Sequence, residues 1–257
     1  MNTRTSRITW FRPMLIMLCS MPMAVAAAKK VTYEEVAVTD GVSITGKVTF
    51  EGDHPAAKTK TINKDIPTCG EGEREYNITT IGDDGSVLNA VVYIEKIAAG
   101  KAWDGKEVFE LEQAGCAFLP KSYVVRRGAD LHVQNKDDVF HNIHSYEIAG
   151  KARITMFNSG QPANSEFTKP LRMRRRGSHA IKLECDAHNF MHEWMFAADN
   201  PYYSVTGEDG AFEIGDVPPG KYKLSVWHPV LGTETTQIEV AAGAASTQAF
   251  LYQGKVK

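Results

Sequence analysis

Apolar and polar residues alternate along several stretches of this 257-residue chain, with the two-residue period of a half-buried β-strand. The alternation is clear in residues 42–50 and again in residues 221–227, where Tyr222, Leu224 and Val226 share one face. Residues 90–94 form a continuous apolar run, which is typical of a buried strand. Helical periodicity is almost absent. The pattern predicts an all-β protein.

Turn-forming residues separate these stretches. Asp, Pro and Gly cluster at residues 83–86, 208–210 and 217–220, and they supply the backbone angles that tight turns need. The strands between the turns are short. Short strands with regular turn signals favour β-sandwiches, and a chain of this length allows either one large domain or two ordinary ones, of which we predict two.

The most informative chemistry lies in the segment Cys-Asp-Ala-His-Asn-Phe-Met at residues 185–191. It brings a thiol, an imidazole and a thioether into one short loop. The preceding residues alternate, so Ile181, Leu183 and Cys185 lie on one face of a predicted strand. The thiol of Cys185 should therefore point inward with the apolar side chains.

A second imidazole comes from residues 139–144, Val-Phe-His-Asn-Ile-His. On a strand, His141 shares the face of Ile143, whereas His144 lies on the opposite face with Asn142. We therefore choose His141 as the partner of the cysteine loop; a bulge here would reopen the choice between His141 and His144.

Two imidazoles, one thiolate and a weak thioether describe a blue-copper electron-transfer site. The predicted ligands are His141, Cys185, His188 and Met191, with Met195 as an alternative source of the thioether. Zinc binding or a purely structural cluster are the alternatives.

The motif His141-Asn142, followed by Cys-x-x-His-x-x-Met from Cys185, resembles the cupredoxin family, and the ligand loop is most similar to that of amicyanin. The resemblance covers roughly residues 105–200. It implies a Greek-key β-sandwich with one type 1 copper ion, and it implies that Asn142 forms a hydrogen bond near the thiolate. Asn189 stands where that loop usually has proline, which predicts a less rigid loop.

Residues 205–214 and 217–224 resemble the latter half of a carboxypeptidase-regulatory-like (transthyretin-like, carbohydrate-binding-like) β-sandwich, and residues 44–50 and 89–94 resemble its early strands. The cupredoxin is thus predicted to be inserted in, or joined to, this second sandwich. The layout resembles secreted bacterial proteins described as methylamine-utilisation-like or plastocyanin-like.

The N-terminus has the pattern of a secretory signal peptide. Three arginines precede an apolar stretch at residues 14–23, and an alanine-rich segment follows, with cleavage expected after Ala26 or Ala28. The apolar run is shorter than the roughly 20 apolar residues of a membrane-spanning helix. The predicted divisions are residues 1–28 for the signal, 29–100 and 202–257 for the two parts of the carboxypeptidase-regulatory-like sandwich, and 101–201 for the cupredoxin.

Cleavage would leave Cys69, Cys116 and Cys185, an odd number in an oxidising compartment. If Cys185 binds copper, Cys69 and Cys116 are free to form a disulfide. A bridge between Cys116 and Cys185 would exclude the copper site.

The net charge of −2 argues against a general nucleic-acid binder, and neither a Gly-rich phosphate loop nor a serine nucleophile motif is present. Residues 169–177 are locally basic and have two interpretations, a solvated strand edge or a docking surface for an acidic redox partner. Seven of the eight histidines lie between His132 and His228, so a second metal stays open.

We predict a periplasmic or secreted electron carrier, not an enzyme, whose partner is a periplasmic redox protein such as a cytochrome or a dehydrogenase. The chain should have no transmembrane anchor after signal cleavage. A copper-delivery or storage protein, and a glycan- or protein-binding module with a non-redox cupredoxin, are the alternatives.

Overall fold

A computed structural model of the chain describes residue 1 and residues 33–76, 80–105, 107–120 and 123–254. Regular structure in these ranges consists of β-strands and a single four-residue helix, so the all-β prediction is confirmed. None of the helical structure in these ranges is long and apolar enough to cross a membrane. The predicted signal peptide at residues 1–28 lies, apart from Met1, outside the described residues.

The elements are numbered in chain order. The strands are β1 Glu34–Glu35, β2 Val42–Glu51, β3 Lys58–Thr61, β4 Glu73–Tyr76, β5 Val91–Ile94, β6 Ala99–Gly100, β7 Val108–Ala114, β8 Ala117–Leu119, β9 Tyr123–Arg126, β10 Asp130–Asn135, β11 His141–Ala149, β12 Ala152–Gln161, β13 Glu166–Pro170, β14 Ala180–Glu184, β15 His192–Ala198, β16 Tyr203–Val205, β17 Ala211–Val217, β18 Gly220–His228, β19 Gly232–Val240 and β20 Ser246–Gln253. The helix α1 is Ile66–Cys69.

Strands β7 to β15 build the first of two sandwiches, called here the central sandwich. One sheet has the order β12-β11-β14-β15-β9, and the other has the order β13-β10-β7-β8. Apolar side chains from both sheets meet in one core, among them Leu111 and Leu131 from the four-stranded sheet and Ile143 and Leu183 from the five-stranded sheet. Because alternate residues of each strand face this core, the apolar-polar alternation of the sequence is satisfied.

Strands β2, β5 and β16 to β20 build the second, called here the flanking sandwich. Its sheets have the orders β16-β5-β18-β19 and β17-β2-β20. Strand β2 lies parallel to β20, with Ile44 opposite Ser246 and Glu51 opposite Gln253. Strand β5 pairs with β16 and β18. The early strands thus pair with the late ones, which is the pairing that an inserted central domain requires; the exact domain boundaries stay a prediction.

Aromatic side chains pack between the two sandwiches. The ring of Phe196 on β15 lies 4.7 Å from that of Tyr93 on β5 and 5.4 Å from that of Trp227 on β18. Val124 and Ala198 belong to the same buried cluster.

A short hairpin leaves the flanking sandwich and lies against the central one. Strands β3 and β4 pair with each other, with Thr61 opposite Glu73, and α1 lies in the connection between them. Ile62 and Cys69 of this hairpin belong to the core of the central sandwich. Part of residues 29–100 therefore contributes to the region where the candidate site lies.

Candidate metal centre

The strand β11 begins at His141, and its side chains alternate as the sequence predicts. His141 and Ile143 are fully buried, whereas Asn142 and His144 lie on the other face and are partly exposed. His144 lies 3.2 Å from both carboxylate oxygens of Asp186 and 3.0 Å from the hydroxyl of Thr155. His144 is thus part of a surface hydrogen-bond network outside the buried cluster.

The strand β14 brings Cys185 to the same end of the sandwich, and the loop that follows folds back on it. The amide of Cys185 donates to the carbonyl of Met191 at 3.2 Å, and the amide of Met191 donates to the carbonyl of His188 at 2.9 Å. These bonds close the loop and turn His188 inward, so that Cys185 is 2% exposed and His188 1% exposed.

The structure brings the three predicted ligands His141, Cys185 and His188 together. The Nδ1 atoms of His141 and His188 lie 3.0 Å apart. Sγ of Cys185 lies 3.9 Å from the first of these atoms and 3.7 Å from the second. A trigonal ion with bonds of about 2.0 Å to nitrogen and 2.3 Å to sulfur separates these atoms by about 3.5 Å and 3.7 Å. The three atoms therefore fit around one metal ion after shifts of a few tenths of an ångström.

The strand register distinguishes the two candidate thioethers. Glu184 on β14 pairs with His192 on β15. The next pair in this register is Cys185 with Met191, and the hydrogen bond from the amide of Cys185 to the carbonyl of Met191 joins these two residues. Met195 instead pairs with Ile181, four residues back along β14, which is about 13 Å of extended strand. Both methionines are buried, but only Met191 lies opposite Cys185.

The thiol of Cys185 is surrounded by backbone amides. The amide of Asn142 donates to Sγ at 3.4 Å. Burial raises the pKa of Cys185, and the amides of Asn142, His188 and Ala187 oppose that shift because they stabilise the thiolate. The side chain of Asn142 accepts a 2.6 Å hydrogen bond from the amide of Asp186 and donates to Asn158, which fixes Asn142 against the loop.

The Nε2 atom of each imidazole, on the side away from the cluster, contacts a carboxylate. Nε2 of His141 lies 2.8 Å from Oδ2 of Asp137, and Nε2 of His188 lies 2.8 Å from Oδ2 of Asp65. With Nε2 donating to the carboxylate, Nδ1 carries the lone pair, and both Nδ1 atoms point into the cluster. Such carboxylate partners orient histidine ligands and raise their basicity.

Asp137 is itself fixed by the turn between β7 and β8. Its carboxylate accepts hydrogen bonds from the amides of Gly115 at 2.7 Å and of Cys116 at 2.9 Å. Burial lowers the pKa of His141, and the neighbouring His188 lowers it further, whereas Asp137 opposes the shift. His141 is therefore neutral near pH 7, which is the state that binds a metal.

Cys69 and Cys116 form a disulfide, and Cys185 is the free cysteine of the described chain. The pairing leaves the thiol of Cys185 available to a metal ion. The bridge lies next to the site, because its sulfur atoms come within 4.8 Å of a ring nitrogen of His188.

The second metal that the histidine count left open has no separate cluster in the described ranges. Every group of three or more close His, Cys, Asp or Glu side chains found there includes His141 or His188. Apart from the group of His141, Cys185 and His188, the two groups found there each contain Cys69 or Cys116, whose thiols are consumed by the disulfide.

Neither of the two carboxylates is predicted from the sequence. Asp137 lies four residues before His141, a spacing that offers a weak signal for a paired side chain. Asp65 is 123 residues from His188, and no local pattern in the sequence connects them.

Comparison with solved structures finds similarity to copper proteins over part of the chain. A purple cupredoxin from Nitrosopumilus maritimus is 19% identical, with 35% of this chain and 98% of that chain covered and a TM-score of 0.29. A reduced Cu(I) form of an amicyanin mutant at pH 4 is 13% identical, with coverages of 37% and 85% and a TM-score of 0.29. A Cu-containing nitrite reductase from Thermus scotoductus SA-01 is 15% identical, with coverages of 41% and 25% and a TM-score of 0.28.

The family model for polysaccharide lyase family 4, domain II, matches residues 180–248, which span the end of the central sandwich and much of the flanking one. This is a different family from the carboxypeptidase-regulatory-like one that the sequence motifs predict, and that assignment stays a prediction. The comparison with curated proteins gave no match. The matching structures and the family model each cover only part of this chain, and the TM-scores of the structures are at most 0.29.

Proposed function

We propose that this chain is an exported mononuclear type 1 copper protein that carries single electrons between redox partners. The observation that carries the proposal is the buried set of His141 Nδ1, His188 Nδ1 and Cys185 Sγ, whose separations of 3.0 to 3.9 Å suit one trigonal ion. The strand register favours Met191 over Met195 as the weak fourth ligand.

Copper suits this donor set better than zinc, because two histidines, one cysteine and a weak thioether form a blue-copper set, whereas a structural zinc site has four strong ligands. The carboxylates of Asp65 and Asp137 contact the outer nitrogens of the histidines and leave the inner face to nitrogen and sulfur atoms. Soft sulfur ligands favour Cu(I), and imidazole suits both oxidation states. Bound copper would supply a one-electron redox couple.

The residues around the site favour fast electron transfer because they fix the ligands in place. His141 is held by Asp137, His188 by Asp65, and the thiolate by the amide of Asn142. Ligands fixed in this way move little when the charge of the ion changes, so the reorganisation energy is low.

Burial supports a carrier over an enzyme. The side chains of His141, Cys185 and His188 are at most 2% exposed, and an enzyme substrate would need an open coordination position. We therefore assign no substrate turnover, and the partner would be a redox protein such as a cytochrome or a dehydrogenase.

Two features support export to the periplasm or beyond. Residues 1–28 have the composition of a signal peptide. The disulfide between Cys69 and Cys116 is typical of proteins in an oxidising compartment.

The test is titration of the purified mature protein with Cu(II), followed by absorption spectroscopy and voltammetry. The expected result is one intense thiolate-to-copper band per chain, a reversible redox couple, and slow loss of the metal to a chelator. Cys185→Ser should abolish the band, and Met195→Leu should leave it unchanged. A spectrum that Cys185→Ser does not alter would disprove the site, and rapid extraction without a redox couple would favour copper delivery.

A further inference from the structure

The hairpin beside the metal centre reaches the site from a distant part of the sequence. Residues 62–76, called here the cover, include α1 and β4. The backbone of Asp65 has a φ of 49°, and its carbonyl accepts hydrogen bonds from the amides of Thr68 and Cys69, the last two residues of α1. Its side chain is therefore free to contact His188 instead of capping the helix.

The contact between Asp65 and His188 places the cover directly over a predicted ligand. Oδ2 of Asp65 lies 2.8 Å from Nε2 of His188, and the side chain of His188 has no exposed surface, whereas that of Asp65 is 34% exposed. Asp65 thus occupies the position between the imidazole and solvent.

Covalent and polar contacts fasten the cover to the central sandwich. Cys69 is bonded to Cys116, whose amide holds the carboxylate of Asp137 behind His141. The guanidinium of Arg74 donates to the carbonyls of Cys116 and, at 3.1 Å, of Gly115. One disulfide and one arginine therefore connect the cover to the turn that supports the other histidine.

Further contacts join the cover to the two segments that carry the ligands. The hydroxyl of Thr68 donates to Asp138 at 2.6 Å, three residues before His141. Lys64 donates to the carbonyl of Ala187 at 3.5 Å, one residue before His188. The guanidinium of Arg74 lies 5.6 Å from the ring centre of Phe190 in the ligand loop.

The apolar contribution of the cover is small by comparison. Its buried apolar residues in the central core are Ile62 and Cys69, and β4 pairs with β3, outside both sandwiches. Segments with few buried apolar contacts open at low free energy unless something else retains them. The disulfide is the contact best able to retain this one.

We propose that the cover is a disulfide-fastened lid over the metal centre, and that Asp65 is a positioning residue that orients His188. The lid controls access to Cys185 and the rate at which a bound ion leaves. Its effect on metal release rests on the proposed copper function, whereas its effect on access to the thiol does not.

Access to the thiol is measured on metal-free protein by the rate at which iodoacetamide alkylates Cys185. The Cys69→Ala/Cys116→Ala double variant should react at least about tenfold faster than wild type, because opening of the lid becomes easier. Leu131→Ala, a truncation in the core of the central sandwich outside the cover, controls for destabilisation of that sandwich and should react at about the wild-type rate. Equal rates for wild type and the double variant would overturn the lid.

Arg74→Met keeps the disulfide and replaces the double variant if that protein does not fold. It should raise the alkylation rate by about threefold, because the guanidinium contacts with the 115–116 turn are lost. An unchanged rate would likewise overturn the lid.

The role of Asp65 is measured on copper-loaded protein by the rate of extraction with a chelator and by the position of the thiolate band. Asp65→Ala should release copper about tenfold faster and shift the band, and Asp65→Asn, which keeps an acceptor for Nε2, should fall between Asp65→Ala and wild type. Asp138→Ala removes the acceptor of the Thr68 hydroxyl without touching a histidine and should leave the band in place.

If Asp65→Ala behaves like Asp138→Ala, Asp65 does not position His188. If wild-type protein shows no thiolate band with copper, the proposed function fails, and the alkylation rates still decide whether the lid exists.

Discussion

The two sandwiches share an architecture and differ in what they bury. The core of the flanking sandwich is built from apolar side chains such as Ile44, Val92 and Leu224. It also buries polar side chains such as Ser225 and His228, but among the described residues these form no cluster of three or more close metal-ligating groups. The central sandwich has apolar residues of the same kinds, but it also buries His141, His188, Asp137 and Cys185.

Burial of polar groups costs stability unless each has a partner. In the central sandwich both imidazoles have carboxylate partners, and Asp137 has two backbone amides. The flanking sandwich thus buries mainly apolar side chains, whereas the central one also buries the partnered polar cluster that we propose as a ligand set.

The largest effect should come from removing the disulfide. It closes a loop with a sequence separation of 47 residues, and the chain-entropy model gives about 4 kcal/mol for a loop of this length. The Cys69→Ala/Cys116→Ala variant should lower the free energy of unfolding of the central sandwich by about that amount and leave the flanking one unchanged. Hydrogen exchange read by mass spectrometry measures the stability of each sandwich separately. Equal loss of protection in the central and flanking sandwiches would show that they unfold as one unit.

Matched truncations in the two cores should cost similar stability but affect the metal differently. Leu183→Ala and Leu224→Ala each remove a fully buried leucine side chain, at an expected cost of about 3 kcal/mol. Only Leu183 lies on the strand that ends one residue before Cys185, so only Leu183→Ala should weaken copper binding. Denaturant unfolding and copper titration of both variants check this, and equal losses of copper affinity would remove the functional contrast.

The flanking sandwich should carry a pH-dependent stability that is independent of the metal centre. Burial lowers the pKa of His228 to about 4, and its Nδ1 accepts hydrogen bonds from the amides of Val230 and Leu231. Above pH 6.5 the residue is neutral in both folded and unfolded chains. As the pH falls from about 6.5 to 4, only the unfolded chain gains the proton, so the free energy of unfolding should drop by up to about 3 kcal/mol.

His228→Asn provides the control, because an amide oxygen can accept from the same backbone groups without titrating. The wild-type unfolding free energy should fall more steeply than that of the variant between pH 6.5 and 4, and parallel curves would contradict the assignment.

The smallest effect on stability should come from the two buried methionines. Met191→Leu and Met195→Leu conserve volume and should each cost less than about 1.5 kcal/mol. Met191 lies opposite Cys185 and Met195 opposite Ile181, so Met191→Leu should alter the copper spectrum and Met195→Leu should not. The opposite result would make Met195 the fourth ligand.

The alternation of residues predicted much of the central sandwich because strand side chains point to opposite faces. It placed His141 and Ile143 inward and His144 outward, as the structure has them. It could not choose between Met191 and Met195, because that choice depends on the pairing of β14 with β15, which a single strand does not encode.

The cover and its contacts were beyond reach of the sequence for a related reason. Asp65 and His188 meet because a distant hairpin lies against the ligand loop, where the disulfide and the hydrogen bonds of Arg74 are among its contacts. A carboxylate in a polar loop carries no periodic signal, and its role depends on a contact between residues 123 positions apart.

X-ray absorption at the copper edge of the loaded protein reports the atoms bound to the ion, so it tests whether Cys185 and the two histidines bind copper together. We expect one sulfur at about 2.2 to 2.3 Å and two nitrogens at about 2.0 Å, with the sulfur contribution lost in Cys185→Ser. A first shell of nitrogen and oxygen alone in the wild-type protein would contradict it.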